Sequence, residues 1–265
     1  MTDTDALHPL RPVLKYWVRE HGPMQTHYLD CSNGAIKVDD GKKARFAAEK
    51  IFYVSLRKDD DAHAAGPSVQ EGNLARFLNA AQTGSAAQAG SPTDVQRAAQ
   101  DCIELGLVCA YQQDASRALA RYSQEPMFED EIRAAVSTDI RRLYAGLREQ
   151  LALYDFTVFH GLPTPLLINE APFIDWRVRA RPVQPFVSMP LGPNCLLVGT
   201  PSGKKSRAGP VLWKTVASMG PFKDHNRYIV DDARMWLVAT TEDQLIALQS
   251  RFAPTAATKP EAKKS

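Results

Sequence analysis

Short alternating runs of apolar and polar residues flank Asn33-Gly34, with MQTHYLD at 24–30 on one side and AIKV at 35–38 on the other. Asn-Gly tolerates positive φ at both turn positions, so the pattern predicts a tight β-hairpin. A third extended piece, IFYVSL at 51–56, is followed by the polar loop KDDDAHAAGPS at 58–68 and a helix over 69–82. GSAAQAGSP at 84–92 is linker-like in its Gly, Ser and Ala content. The period then changes. Val95, Ala98, Cys102, Leu105 and Cys109 recur at helical spacing, with Asp94 placed to cap the helix. A second long helix is predicted from the acidic cluster Glu129, Asp130 and Glu131, where negative charge suits the positive end of the helix dipole. Its apolar face is Ile132, Val136, Ile140, Leu143, Leu147, Leu151 and Tyr154, and Gly161 and Pro163 end it.

Beyond Pro163 the texture becomes short β-like runs punctuated by Pro and Gly: TPLLIN (164–169), QPFVSMPL (184–191), CLLVGT (195–200) and RMWLVAT (234–240). A last helix starts near Thr241, with Gln244 positioned to complete a capping box and Leu245, Ile246, Leu248 and Phe252 as its apolar residues. The fold class that follows is α+β: a long helical pair packed on a mostly antiparallel sheet, with a small N-terminal β region. The expected organisation is one domain over 1–252, divisible into 1–92, 93–162 and 163–252, and then a disordered tail over 253–265.

Composition adds the class: 44% hydrophobic and 23% charged residues describe a globular chain. The overall charge of +2 conceals an asymmetry, because residues 163–230 carry nine Lys/Arg against three acids, a balance of +6. That excess points to an acidic partner. The first residues, MTDTDALHPLRPVLKYW, lack the apolar core of a secretory signal, and no apolar run approaches the roughly 20 residues that span a bilayer. Cys31, Cys102, Cys109 and Cys195 form no C-x-x-C pair, so the expectation is free thiols in a reducing cytoplasm.

The C-terminal third carries a family likeness. Asn169, Glu170, Ala171 and Pro172 stand where a T-S-D-N-P signature would lie. FVSMPLGP, Phe186 to Pro193, fits a later strand-and-turn element, and Asn226 in HNRYIVDDARMWLVA fits a final Asn ahead of a strand. With AAEKIFYV at 47–54, these segments make the chain similar to the bacterial family known as domain of unknown function forty-two thirty-eight. The resemblance implies no particular chemistry.

INEAPFIDWRVRARP, residues 168–182, holds the candidate chemistry. Glu170 could act as a general base or metal ligand at a strand end, and Asp175 could complete a two-carboxylate site. The plainer alternative for Glu170 is capping a turn or pairing with an arginine. Arg177, Arg179 and Arg181 at period two would share one face of a strand, with Val178 and Ala180 turned to the core. Together with Lys204, Lys205 and Arg207 in the loop TPSGKKSRAGP, they form either a charged edge or a stripe that grips carboxylates or phosphates. The loop is not a Walker A motif, because Val198 occupies the first Gly position and Lys205 follows Lys204. His21, His27 and Cys31 match no zinc spacing, G-x-S-x-G and G-x-G-x-x-G are absent, and no metal or cofactor is expected.

Two functions follow from different classes. The first is a cytoplasmic binding protein without its own chemistry, toxin-neutralising (immunity-type) or defence-associated, docking an acidic protein through Arg177, Arg179, Arg181, Lys204, Lys205 and Arg207. The second is a hydrolase acting on nucleic acid, with Glu170 and Asp175 as the central pair and the arginines holding phosphates. The reading leans toward the first.

Overall fold

The computed structural model describes residues 10–17, 25–39, 67–122, 149–151, 153–203 and 209–253. Its helices and two mostly antiparallel sheets make an α+β fold. The N-terminal hairpin is present as β1 (Thr26–Asp30) and β2 (Ala35–Asp39), with Gly34 at φ 72 in the turn. Asp30 stitches that turn by accepting from the Ser32 backbone N–H and hydroxyl, the Asn33 amide and the Lys37 ammonium. The bonds from Lys37 and then Ser32 hold its carboxyl down at about 2.

Two sheets organise the rest. One has strand order β2-β1-β9-β4, where β4 is Ile168–Asn169 and β9 is Trp236–Val238. The other runs β5 (Ile174–Asp175), β6 (Val187–Gly192), β7 (Cys195–Pro201), β3 (Tyr154–His160) and β8 (Leu212–Thr215). Among the described residues only the β3–β8 pairing is parallel. β6 and the first part of β7 are buried on both faces, which is why they read as largely apolar runs. On one face Phe156, Val158, Met189, Cys195 and Leu197 pack under the helices α2 (Pro67–Thr83) and α3 (Pro92–Tyr122), whose Phe77, Leu78, Ala98, Cys102 and Ile103 complete a first core. On the other, Leu196 and Val198 meet Leu166, Trp176, Phe222, Tyr228 and Ile229 in a second core.

Three expectations are corrected. The helix predicted to run to Gly161 ends before Tyr154; residues 123–148, with Ile132, Val136, Ile140, Leu143 and Leu147, lie outside the described residues. Tyr154, Phe156 and Val158 alternate inward in a run of aromatic and β-branched residues, and that two-residue period prevails over the coincidental helical spacing of Leu151 and Tyr154. Asp94 does not cap α3: its backbone N–H donates to the Ser91 hydroxyl, and that hydroxyl donates to the Asp94 carboxylate. The arginine stretch is not a strand. Asp175 accepts from the Arg177 backbone N–H and starts a helical turn, Trp176–Arg179.

At the C-terminal end the predicted capping box of Thr241 and Gln244 is formed and opens the helix Glu242–Ile246; Leu245 is buried and Ile246 exposed. The segment 51–56 and the residues after Ala253 lie outside the described residues. No helix among the described residues is long and apolar enough to cross a membrane.

Candidate functional site

Segment 165–171 is pinned by side chains from distant parts of the chain. The Trp17 indole donates to the Leu166 carbonyl, the Asn226 amide donates to the Pro165 carbonyl, and Asn226 Oδ1 accepts from the Leu167 N–H. Asn169 is fully buried; it donates to the Ile229 carbonyl and accepts from the Ala171 N–H. Asn169 and Asn226 are therefore latches between this segment and the helix His225–Asp232.

Glu170 follows directly and is 5% exposed. Its Oε1 accepts from Gln113 Nε2 at 2.6 Å and from the backbone N–H groups of Arg234 at 2.7 Å and Met235 at 3.2 Å. The Trp236 N–H reaches Oε2 at 3.4 Å. Burial pushes this carboxyl up from its ordinary value, against the bonds from Arg234, Gln113 and Trp236 that favour the ionised form. The carboxylate closes the turn into β9. Burial, with Glu170 nearby, also pushes the Cys31 thiol up to about 12 and Cys109 higher still, so both are poor nucleophiles.

Asp175 belongs to a different network. Besides capping its own turn, it takes a two-point grip on Arg177, with Oδ1 to Nε at 2.8 Å and Oδ2 to Nη2 at 2.7 Å. Arg177 Nη1 also donates to the Tyr154 hydroxyl at 2.7 Å. Arg179 turns elsewhere and pairs with Asp232 at 2.7 Å. Gln113 joins that pair to Glu170, because its Nε2 also donates to the Asp232 carbonyl. Arg181 folds back on the carbonyls of Val178 and Ala180 and meets no carboxylate among the described residues. Val178, expected in the core, is 68% exposed, while Ala180 is buried as expected.

Among the described residues Glu170 and Asp175 share no hydrogen-bond partner, and each of the three arginines turns to partners of its own instead of joining one stripe. Lys204, Lys205 and Arg207 lie outside the described residues, as does His21. His27 is buried in β1 with Nδ1 3.9 Å from a Glu242 oxygen. His160 ends a strand, not a helix, beside the Thr215 hydroxyl. Among the described residues no group of three or more His, Cys, Asp or Glu could hold a metal ion. All four cysteines are free.

Sequence reasoning missed Gln113, Tyr154, Asn226 and the backbone of 234–236 as partners. The hydrogen bonds join them to segment 165–177 across 23 to 66 residues, and no local pattern signals that. No family model, curated protein or solved structure matches the chain.

Proposed function

We propose that the protein is a cytoplasmic binding protein, with the shoulder from Trp176 to Val183 as its contact surface. The observation that carries this reading is the engagement of both candidate acids. Glu170 is sealed and saturated by four donors, and Asp175 is held by a helix cap and a guanidinium, so neither carboxylate is presented to a substrate. The shoulder is open in contrast: Val178 and Val183 are 68% and 59% exposed, and the Arg181 guanidinium bonds the Val178 carbonyl. Exposed apolar side chains beside an arginine that has no carboxylate partner among the described residues favour a protein surface bearing acidic and apolar groups. Two ion-paired arginines lower the field of the original stripe, so apolar contact carries more of the affinity than charge does.

Photo-crosslinking from a benzophenone amino acid at position 178, with the exposed Ile246 position as control, tests the reading in the native cell. A discrete adduct with an acidic protein is expected at 178 alone, lost when Arg181 and Val183 are changed to Ser. Equal labelling from both positions would refute the surface. Nuclease activity of the pure protein that disappears in Glu170→Gln would establish the hydrolase instead.

A further inference from the structure

Beneath that shoulder lies a buried titratable group whose ring packs but whose nitrogens are left over. His225 opens the helix α5 (His225–Asp232) and is fully buried. Neither ring nitrogen has a hydrogen-bond partner of good geometry among the described residues. The ring lies 6.5 Å from that of Trp176, the first residue of the turn α4 (Trp176–Arg179), at an interplanar angle of 36°. Phe186, Phe222 and Tyr228 surround the same indole at 5.2, 6.5 and 5.3 Å. Such an enclosure accepts a neutral imidazole and offers a protonated one neither solvent nor counter-charge.

The charged groups on the surrounding elements are occupied elsewhere. Asp175 grips Arg177, Arg179 pairs with Asp232, Arg227 lies near Asp224 and over the Tyr228 ring, and Asp231 takes Arg251. Lys223 is exposed, and Lys214 on β8 sits over the Phe159 ring. On β3, Asp155 is bonded to the Gly209 N–H, and on β7 Cys195 belongs to the core on the other face of the sheet.

We infer that His225 makes the α4–α5 junction an acid-operated latch: protonation expels the imidazole, parts α5 from Trp176 and unseats the turn that carries Arg177 and Arg179. Besides that imidazole, the junction is held by the edge-on packing of Tyr228 against Trp176 at 5.3 Å and by two polar contacts. Tyr228 donates to the Arg179 carbonyl at 3.4 Å, and the Arg179–Asp232 pair is partly exposed. The consequence for docking rests on the function proposed above, but the latch itself does not.

The sign is set by burial, which lowers the imidazole from 6.5 to about 4, with a smaller opposing pull from Asn226. Above about pH 6.5 both forms are neutral and acidity changes nothing. Between about 6.5 and 4 the opened form binds the proton and the closed form does not, so the open population rises about tenfold per pH unit, about 300-fold in all. Below about 4 both forms are protonated and the dependence ends.

Amide exchange of the full chain, followed residue by residue from pH 7.5 to 3.5 and normalised to intrinsic rates, tests this. The N–H groups of Ala180, bonded to the Trp176 carbonyl, and of Tyr228 and Ala233 report on the junction. Their protection should lie below that of β6 and β7 and fall about tenfold per pH unit across the window. His225→Phe, or His225→Leu if the first does not fold, should flatten that slope while leaving the junction closed at neutral pH. A flat wild-type profile, junction protection equal to that of β6 and β7 at every pH, or an unchanged slope in a folded variant would each overturn the latch. The wild-type profile decides alone if neither variant folds. Loss of the crosslink at position 178 with an intact latch would instead count against the docking surface.

Discussion

Replacing Glu170 separates a structural carboxylate from a reacting one. In Glu170→Ala the N–H groups of Arg234 and Met235 and the Gln113 amide lose their shared acceptor, and Trp236 loses a weaker contact. Each buried donor left unmatched costs about 1–3 kcal/mol, although water admitted to the vacated space recovers part of it. Gln113 keeps its bond to the Asp232 carbonyl, so it contributes least. The two strongest backbone losses and the small cavity together suggest about 3–6 kcal/mol, a large share of the 5–15 kcal/mol typical of a domain. Glu170→Gln preserves shape and one acceptor oxygen, but its NH2 must face a donor; about 1–3 kcal/mol is expected. Urea unfolding at pH 7, followed by circular dichroism, gives the order wild type, Gln, Ala. A Gln variant as stable as wild type, or more so, refutes the argument, since a carboxylate whose loss relieves strain is the mark of a reaction site.

Two further outcomes follow from local geometry. Gly84 has φ +67, and a Cβ there would run into the His160 ring, so Gly84→Ala should lower stability by about 1–3 kcal/mol; Gly72, inside α2 with nothing within 4 Å, should give about 0.5–1 kcal/mol in the opposite direction when changed to Ala. Midpoints of chemical unfolding that shift the same way in both variants would contradict this account. Asp175→Ala removes a helix cap and the partner of a half-buried guanidinium, and should lower stability by about 1–2 kcal/mol while leaving the far-UV spectrum unchanged. A loss below about 0.3 kcal/mol would show that the cap and the ion pair are both dispensable.

Legibility in the sequence followed the range of the interactions. The Asn33-Gly34 hairpin and the Thr241–Gln244 capping box are decided within four residues, and both were readable. So were β6 and β7, whose apolar runs reflect burial on both faces. Tyr154–His160 was misread because its first residue continues a helical apolar series from Leu147 and Leu151, and only neighbours in the sheet decide the matter. β8 escaped notice because Leu212, Lys214 and Thr215 are exposed, so it carries little apolar pattern. α5, eight residues long, was passed over. At the site, the residue types were legible and their alliances were not. Glu170 meets donors 57 to 66 positions away, while the two-residue spacing of the arginines concealed an aspartate cap at the start of their own turn.

The pairing of β1 with β9 has a consequence for how the protein is made. Leu29 and Leu237 are register partners, both fully buried, and 208 positions separate them. At ribosomal speeds of about 5–20 residues per second, the hairpin waits about 10–40 s for the strand that completes its sheet. A lone two-stranded hairpin is marginal in water, and the β1 edge is open throughout that interval. The last turns of synthesis therefore govern the first elements made. Slowing translation between α3 and β9 should lengthen the vulnerable period and raise the demand for chaperones without altering a single native contact.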